Sequence, residues 1–237
     1  MIDVHFVPTP NGHKVSIMLE ETGVTHRLIP YDMLGGDHLK PAFREVNPNH
    51  RLPAILDHDP IGGGAPFAVF ESGAILLYLS EKCGGAFMPT DPRQRSQAQQ
   101  WLMWQMAGFG PIHGQAHHFI RYAPEGQDYG VARYSNEARR LLAVLDRRLG
   151  EAEYLAEEYS VADMATWPWV RATRAIALSL DPYPNIGRWF AAVGERAAVA
   201  RGTEVKNAAN LSSLRPTLSP EQWSNLFGEN MLKSSET

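Results

Sequence analysis

A change of periodicity near residue 85 constrains this chain more than any other feature. Before it, short apolar runs alternate with amphipathic segments; from about Asp91 onward the pattern is helical only. Residues 4–7 (Val-His-Phe-Val) read as a strand, closed by the turn formers Pro8-Thr9-Pro10-Asn11-Gly12. Val15, Met18 and Leu19 then recur at helical spacing, with Gly23 as a C-cap. Residues 26–31 read as a second strand and residues 38–46 as a short helix. Pro53-Ala54-Ile55-Leu56 and Phe67-Ala68-Val69-Phe70 flank the turn Ile61-Gly62-Gly63-Gly64, which predicts a hairpin. Ser72 is placed to cap a third helix carrying Ile75, Leu76 and Leu79. The order βαβαββα predicts a small α/β layer.

The rest of the chain is helical in pattern. Trp101, Leu102, Trp104 and Met106 fall in the first segment, and Val131, Tyr134, Ala138, Leu141, Leu142, Leu145 and Leu149 mark one face of the next. Ser160-Val161-Ala162-Asp163 has the form of a capping box, with Asp where Glu or Gln is usual. It opens a buried helix in which Pro168, between Trp167 and Trp169, is expected to introduce a kink. Gly84-Gly85 and Pro89-Thr90-Asp91-Pro92 mark the boundary. The expected division is an N-terminal domain over residues 1–86, a helical domain over 92–203, and a polar, partly flexible extension over 204–237.

Composition narrows the function. The 237 residues carry 22 Lys and Arg against 26 Asp and Glu, a net charge of -4 that disfavours nucleic-acid binding. The single cysteine, Cys83, excludes an intrachain disulfide and a CxxC redox pair. Redox chemistry would need sulfur from elsewhere. The opening Met-Ile-Asp-Val-His has no signal-peptide pattern, and the longest apolar block, residues 74–79, is too short to span a bilayer. A soluble cytoplasmic protein without membrane partners is expected.

The order of elements, Leu52-Pro53 before the third strand, Glu71-Ser72 opening the third helix and Ser-Val-Ala-Asp at 160–163 resemble the cytosolic glutathione transferases. More narrowly, Thr9-Pro10-Asn11-Gly12-His13-Lys14, the run from Phe70 to Leu79, Trp101 to Trp104, His117-His118-Phe119 and Trp167-Pro168-Trp169 resemble the bacterial nu class. The likeness runs from residue 1 to about residue 200. It implies a thioredoxin-like N-terminal domain followed by an all-α C-terminal domain, a homodimer, and glutathione, reduced or as its disulfide, as bound co-substrate without a metal. The activity implied is glutathione-dependent disulfide-bond reduction. Conjugation or reduction of electrophiles is the alternative, and a non-catalytic glutathione-binding regulator is a third.

Glu71-Ser72 lies where a strand passes into a helix, a place with free amides and a positive dipole end. It reads either as a plain cap or as an anchor for an amino-acid head group, and the resemblance selects the γ-glutamyl end of glutathione. The resemblance also makes Leu52-Pro53 a cis peptide whose preceding residue offers its backbone to the cysteinyl unit, in the manner of strand addition. It places Arg51 and His38 at the glycyl carboxylate; histidine titrates near neutrality, and relatives tend to have glutamine there. Thr9 and Asn11 face the expected sulfur as donors rather than bases, with Asn11 read otherwise as a mere N-cap and Ser16 as the reserve hydroxyl. Arg133 is implied to reach across the dimer to a second glutathione. His113, His117 and His118 read as pocket wall without the carboxylate or thiol company of a metal site. The four tryptophans at 101, 104, 167 and 169 read as core. Cys83 sits at the wrong end of its helix for a reactive thiol.

Overall fold

The computed structural model describes residues 1–204 and 215–236. Strands β1 (Ile2–Phe6), β2 (His26–Pro30), β3 (Ala54–Asp57) and β4 (Phe67–Phe70) form one sheet in the order β2-β1-β3-β4. β1 and β2 run parallel, with Ile2 opposite His26; β1/β3 and β3/β4 are antiparallel, with Ile55 facing both Val4 and Val69. Helices α1 (Pro10–Thr22), α2 (Pro41–Arg44) and α3 (Ser72–Lys82) complete a thioredoxin-like layer. The remainder is helical: α4 (Pro92–Trp104), α5 (Gly110–Arg121), α6 (Asp128–Glu151), α7 (Val161–Ala172), α8 (Pro184–Gly194) and α9 (Ala197–Thr203), then α10 (Pro220–Phe227) and α11 (Glu229–Glu236). Among the described residues no helix is long and apolar enough to cross a membrane.

Local chemistry sets the first helix. Thr9 is its N-cap, its Oγ1 accepting from Gly12 N at 3.2 Å, and Pro10 occupies the first helical position. A Cβ at Gly12 would stand 2.0 Å from Val7 O, so only glycine lets the helix start so close to β1. Asn11 is therefore not the cap, and its amide is free for other work. The segment read as one helix over 38–46 is a 3-10 turn, Asp37–Leu39, followed by the single turn of α2. Pro41 holds Lys40 extended (ψ 142°), which interrupts the helix. Ser72 is likewise not a cap: Glu71 takes that position at φ 67°, and Ser72 is the first residue of α3. A non-glycine residue held there is strained by about 1–3 kcal/mol, which points to a site.

The two halves share one core. Val4, Leu19, Ile75 and Leu79 of the layer pack in the same buried cluster as Leu102, Leu142, Val161 and Val170 of the helical half. α9 closes on α1 because Gly202 has no side chain: a Cβ would come within 2.8 Å of Ile17 backbone. Arg196 adds a bidentate pair to Glu21, at 2.6 and 2.9 Å. α7 lies inside this core, with residues 161–168 all buried, and it continues through Pro168 to Ala172 under packing from every side.

The capping box at the start of α7 is present, and its acid does more than cap. Asp163 is fully buried and accepts from Ser160 N (3.0 Å), Ser160 Oγ (3.1 Å), Leu155 N (3.1 Å) and the Trp189 indole (2.8 Å). Burial pushes its carboxyl up to about 6 against these donors. Asp163→Ala strands four buried donors and is expected to cost about 3 kcal/mol, read as a lower denaturation midpoint.

Candidate functional site

A cavity of about 1170 Å³ opens between the layer and the helical half. It exceeds the roughly 300–1,000 Å³ of ordinary ligand pockets. The β1–α1 turn brings Thr9, Asn11 and Lys14; the approach to β3 brings Arg51, Leu52 and Pro53; the start of α3 brings Glu71 and Ser72. His38 joins from the 3-10 turn. Sequence reading therefore gathered one site from four separate segments. Arg133 is not part of it: it is exposed on α6 and does not line the cavity. Cys83 ends α3, also off the cavity.

Asn11 is held by a partner outside its own domain. The Trp169 indole donates to its Oδ1 at 2.9 Å. An indole N–H can only donate, so the amide oxygen is assigned to that side and Nδ2 is left as a donor. Among the described residues no protein acceptor takes it. Thr9 Oγ1 uses a lone pair on Gly12 N and keeps its proton to give. Both donors stand at the amino end of α1, where the dipole favours an anion.

Trp169, expected as core, packs against the core and also walls the cavity. Trp167 faces the other way, stacked on Phe190 at 4.9 Å and donating to Phe190 O at 2.9 Å. Two residues apart on a helix lie on nearly opposite faces, and that spacing was the available signal. Ser16 is not a reserve hydroxyl, because it is buried and donates to Gly202 O at 2.6 Å, fastening α9 to α1.

The Leu52-Pro53 bond is cis, and among the described residues neither the N–H nor the C=O of Leu52 has a protein partner. Arg51 makes no ion pair within the described residues, and neither does the exposed Glu71. His38 is buried with both ring nitrogens outside hydrogen-bond geometry. Burial and Arg51 hold its pKa down at about 4, so its imidazole is neutral at pH 7 and does not titrate near neutrality. His117 and His118 line the cavity, while His113 lies behind it, bonded through Nδ1 to Phe109 O at 2.7 Å. Among the described residues no group of three His, Cys, Asp or Glu could hold a metal ion.

Lys14 is the residue that sequence reading left without a role. The residue is 1% exposed, and its ammonium donates to Gln105 Oε1 (2.5 Å), Met106 Sδ (3.2 Å) and Ser72 Oγ (3.3 Å). Burial lowers its pKa to about 7, with Glu71 opposing. It lies three residues beyond Asn11, and so on the same helix face, which was the clue.

The extension completes the wall. Ser219 and Gln222 form a capping box for α10, and Leu226, Phe227, Met231 and Leu232 line the cavity. Asn225 donates to Leu34 O at 2.8 Å, and Asn230 to Asn225 Oδ1 at 2.7 Å. Phe227 packs on His118 and Tyr122 of the α5 end, at 4.7 and 5.2 Å. α10 and α11 thus strap the β2–α2 loop to α5. The frayed tail expected from sequence falls in part on residues 205–214 and Thr237, outside the described residues.

A thioredoxin-like layer with a cis-proline beside an open cavity, joined to a helical domain, defines the class of fold. The chain belongs to the glutathione transferase family. The N-terminal domain of glutathione S-transferase matches residues 9–82 and the C-terminal domain residues 128–192. The disulfide-bond oxidoreductase YfcG of Escherichia coli is 45% identical over 202 residues, covering 85% of this chain and 94% of that protein. A glutathione transferase from Pseudomonas putida, solved with one glutathione disulfide bound per subunit, superposes with a TM-score of 0.81 at 42% identity. It spans 87% of this chain and 92% of its own. A family member from Pseudomonas fluorescens, with two glutathiones bound, gives 0.81 at 41%, over 86% and 93%.

The strap has its own test. Asn225→Ala removes its bond to Leu34, and hydrogen–deuterium exchange is expected to quicken over residues 220–236 while α7 is unchanged.

Proposed function

We propose that this chain is a glutathione-dependent disulfide-bond reductase of the nu class, acting as a cytoplasmic homodimer on small disulfides. Residues 1–86 serve as the peptide-binding domain, 92–203 as the wall of the substrate pocket and 204–237 as a C-terminal extension whose helices over 220–236 close over it. The observation that carries the reading is the Asn11 amide, turned by Trp169 so that its Nδ2 donor is left for an incoming sulfur.

A thiolate is the reactive form of a thiol, and donors at a helix amino terminus stabilise it. Asn11 and Thr9 supply those donors. Neither is a proton acceptor of any strength, so they stabilise charge and do not act as bases. Glu71 holds the γ-glutamyl ammonium and Ser72 its carboxylate. Leu52 pairs its backbone with the cysteinyl unit beside Pro53, and Arg51 with the neutral His38 takes the glycyl carboxylate. Arg133 serves the second peptide across the dimer interface. Exposed Phe67 and Phe70 on β4 and Met103 on α4 support a surface for the second copy.

The sulfur balance closes without Cys83. One glutathione thiolate attacks the substrate disulfide, forming a mixed disulfide as the old S–S bond breaks and the leaving thiolate takes a proton. The second glutathione thiolate then attacks the glutathione sulfur of the mixed disulfide. Glutathione disulfide forms, and the other substrate thiol leaves. Two thiols are oxidised and one disulfide reduced. The apolar strap residues favour conjugation of an electrophile as the second reading, and parallel assays with a disulfide, a chloroarene and a hydroperoxide separate the two.

Asn11→Ala removes a hydrogen bond to a charged sulfur, and disulfide turnover is expected to fall about 10–100-fold. Trp169→Phe, which frees the amide to rotate, should give a smaller loss, and Cys83→Ser should stay within about twofold of wild type. Equal losses in Asn11→Ala and Cys83→Ser would overturn the assignment.

A further inference from the structure

We propose that Lys14 is the positioning residue of the anion subsite, holding the Ser72 hydroxyl as a donor and supplying the counter-charge behind a bound carboxylate. The proposal rests on the glutathione reading above and concerns the α-carboxylate of the γ-glutamyl end.

The hydrogen-bond arithmetic carries it. An ammonium has three protons and no acceptor. Those of Lys14 face Gln105 Oε1, Met106 Sδ and Ser72 Oγ, so each is engaged. Ser72 Oγ receives from Lys14 and must point its own proton elsewhere. Among the described residues its one other hydrogen-bond neighbour is Met106 Sδ at 3.6 Å, a weak acceptor. The hydroxyl proton is thus set to be given to a ligand at the first turn of α3, where the cavity begins.

The charge is otherwise unexplained. Lys14 is 1% exposed, and among the described residues no carboxylate pairs with it. A buried cation without a partner costs several kcal/mol, and an apolar side chain of similar length would avoid that cost. A ligand carboxylate two bonds away across Ser72 Oγ is the partner it lacks.

The groups facing Lys14 come from every side of the cavity, and they include His50, which is bonded through Nδ1 to His38 O at 2.8 Å. Glu71 at the start of α3 is the acid nearest in influence, and it raises the Lys14 pKa against burial. From the approach to β3 and from α5, Arg51 and Arg121 face the same cavity. His38 and His117 are held down at about 4, His118 is lowered by burial, and His13, beside Lys14 on α1, is also about 4. These imidazoles are neutral above pH 6.5. Lys14, near 7 when the site is empty, gains a proton-stabilising partner when a carboxylate binds. Binding is then strongest below pH 7 and weakens as pH rises through it.

The test uses S-methylglutathione, whose sulfur does not titrate, with the full chain. Wild-type affinity is expected to fall about tenfold from pH 6 to pH 8, with proton uptake at pH 7.5 seen by calorimetry in buffers of different ionisation enthalpy. Lys14→Met should bind about tenfold more weakly at pH 6, with a flat profile and no uptake, and its loss in disulfide turnover should fall on KM more than on kcat. In a Ser72→Ala background the effect of Lys14→Met should shrink, since the two act in series. A flat wild-type profile without proton uptake overturns the role of Lys14 and leaves the glutathione reading intact. Absence of binding by wild type at every pH overturns the glutathione reading and this proposal with it.

Discussion

The bond from the Trp169 indole to Asn11 Oδ1 is the contact on which the site depends, because it ties a cavity-lining amide of one domain to the buried helix of the other. It forms only because α7 is fixed in depth and rotation. Asp163 pins the start of α7 to Leu155, Ser160 and Trp189, and Trp167 locks its far face against Phe190. α1 is placed just as firmly, by the Thr9 cap, the close approach at Gly12 and the Ser16 bond to Gly202. The 2.9 Å bond thus results from two helices whose positions are independently determined. The amide it orients is preorganised, which is where stabilisation of a developing anion is most effective.

Around that contact the cavity is electrostatically lopsided. Lys14, Arg51 and Arg121 face Glu71, while burial keeps His38 and His117 neutral. In a chain whose net charge is -4, this is a local field. Burying Lys14 sacrifices some stability to gain it, a pattern common at functional sites.

Much of this was legible in the residues. The sheet and its hairpin followed from alternation and turn formers, and the capping box at 160–163 named the start of α7 correctly. Thr9, Asn11, Leu52, Glu71 and Ser72 stand out one by one in the sequence as candidates, and the structure gathers them around one cavity. The errors share a cause. Ser16 looked like a free hydroxyl and Trp169 like packing, because their partners, Gly202 and Asn11, lie 186 and 158 residues away in sequence. The single helix expected over 38–46 is broken at Lys40, which Pro41 keeps extended. Burial in the folded chain is what moves His38 away from titrating near neutrality.

The sequence by itself determined the periodicities, the caps, the proline before β3 and the absence of an internal dithiol. Each of these is a local property, set by residues within a turn or two of one another. Tertiary structure alone decided which polar groups are already satisfied and which are left to meet a ligand. It turned Asn11, buried Lys14 behind Ser72, and brought residues 220–236 back onto the cavity. Hydrogen-bond saturation and desolvation depend on neighbours that only the folded chain brings together, so no local pattern encodes them.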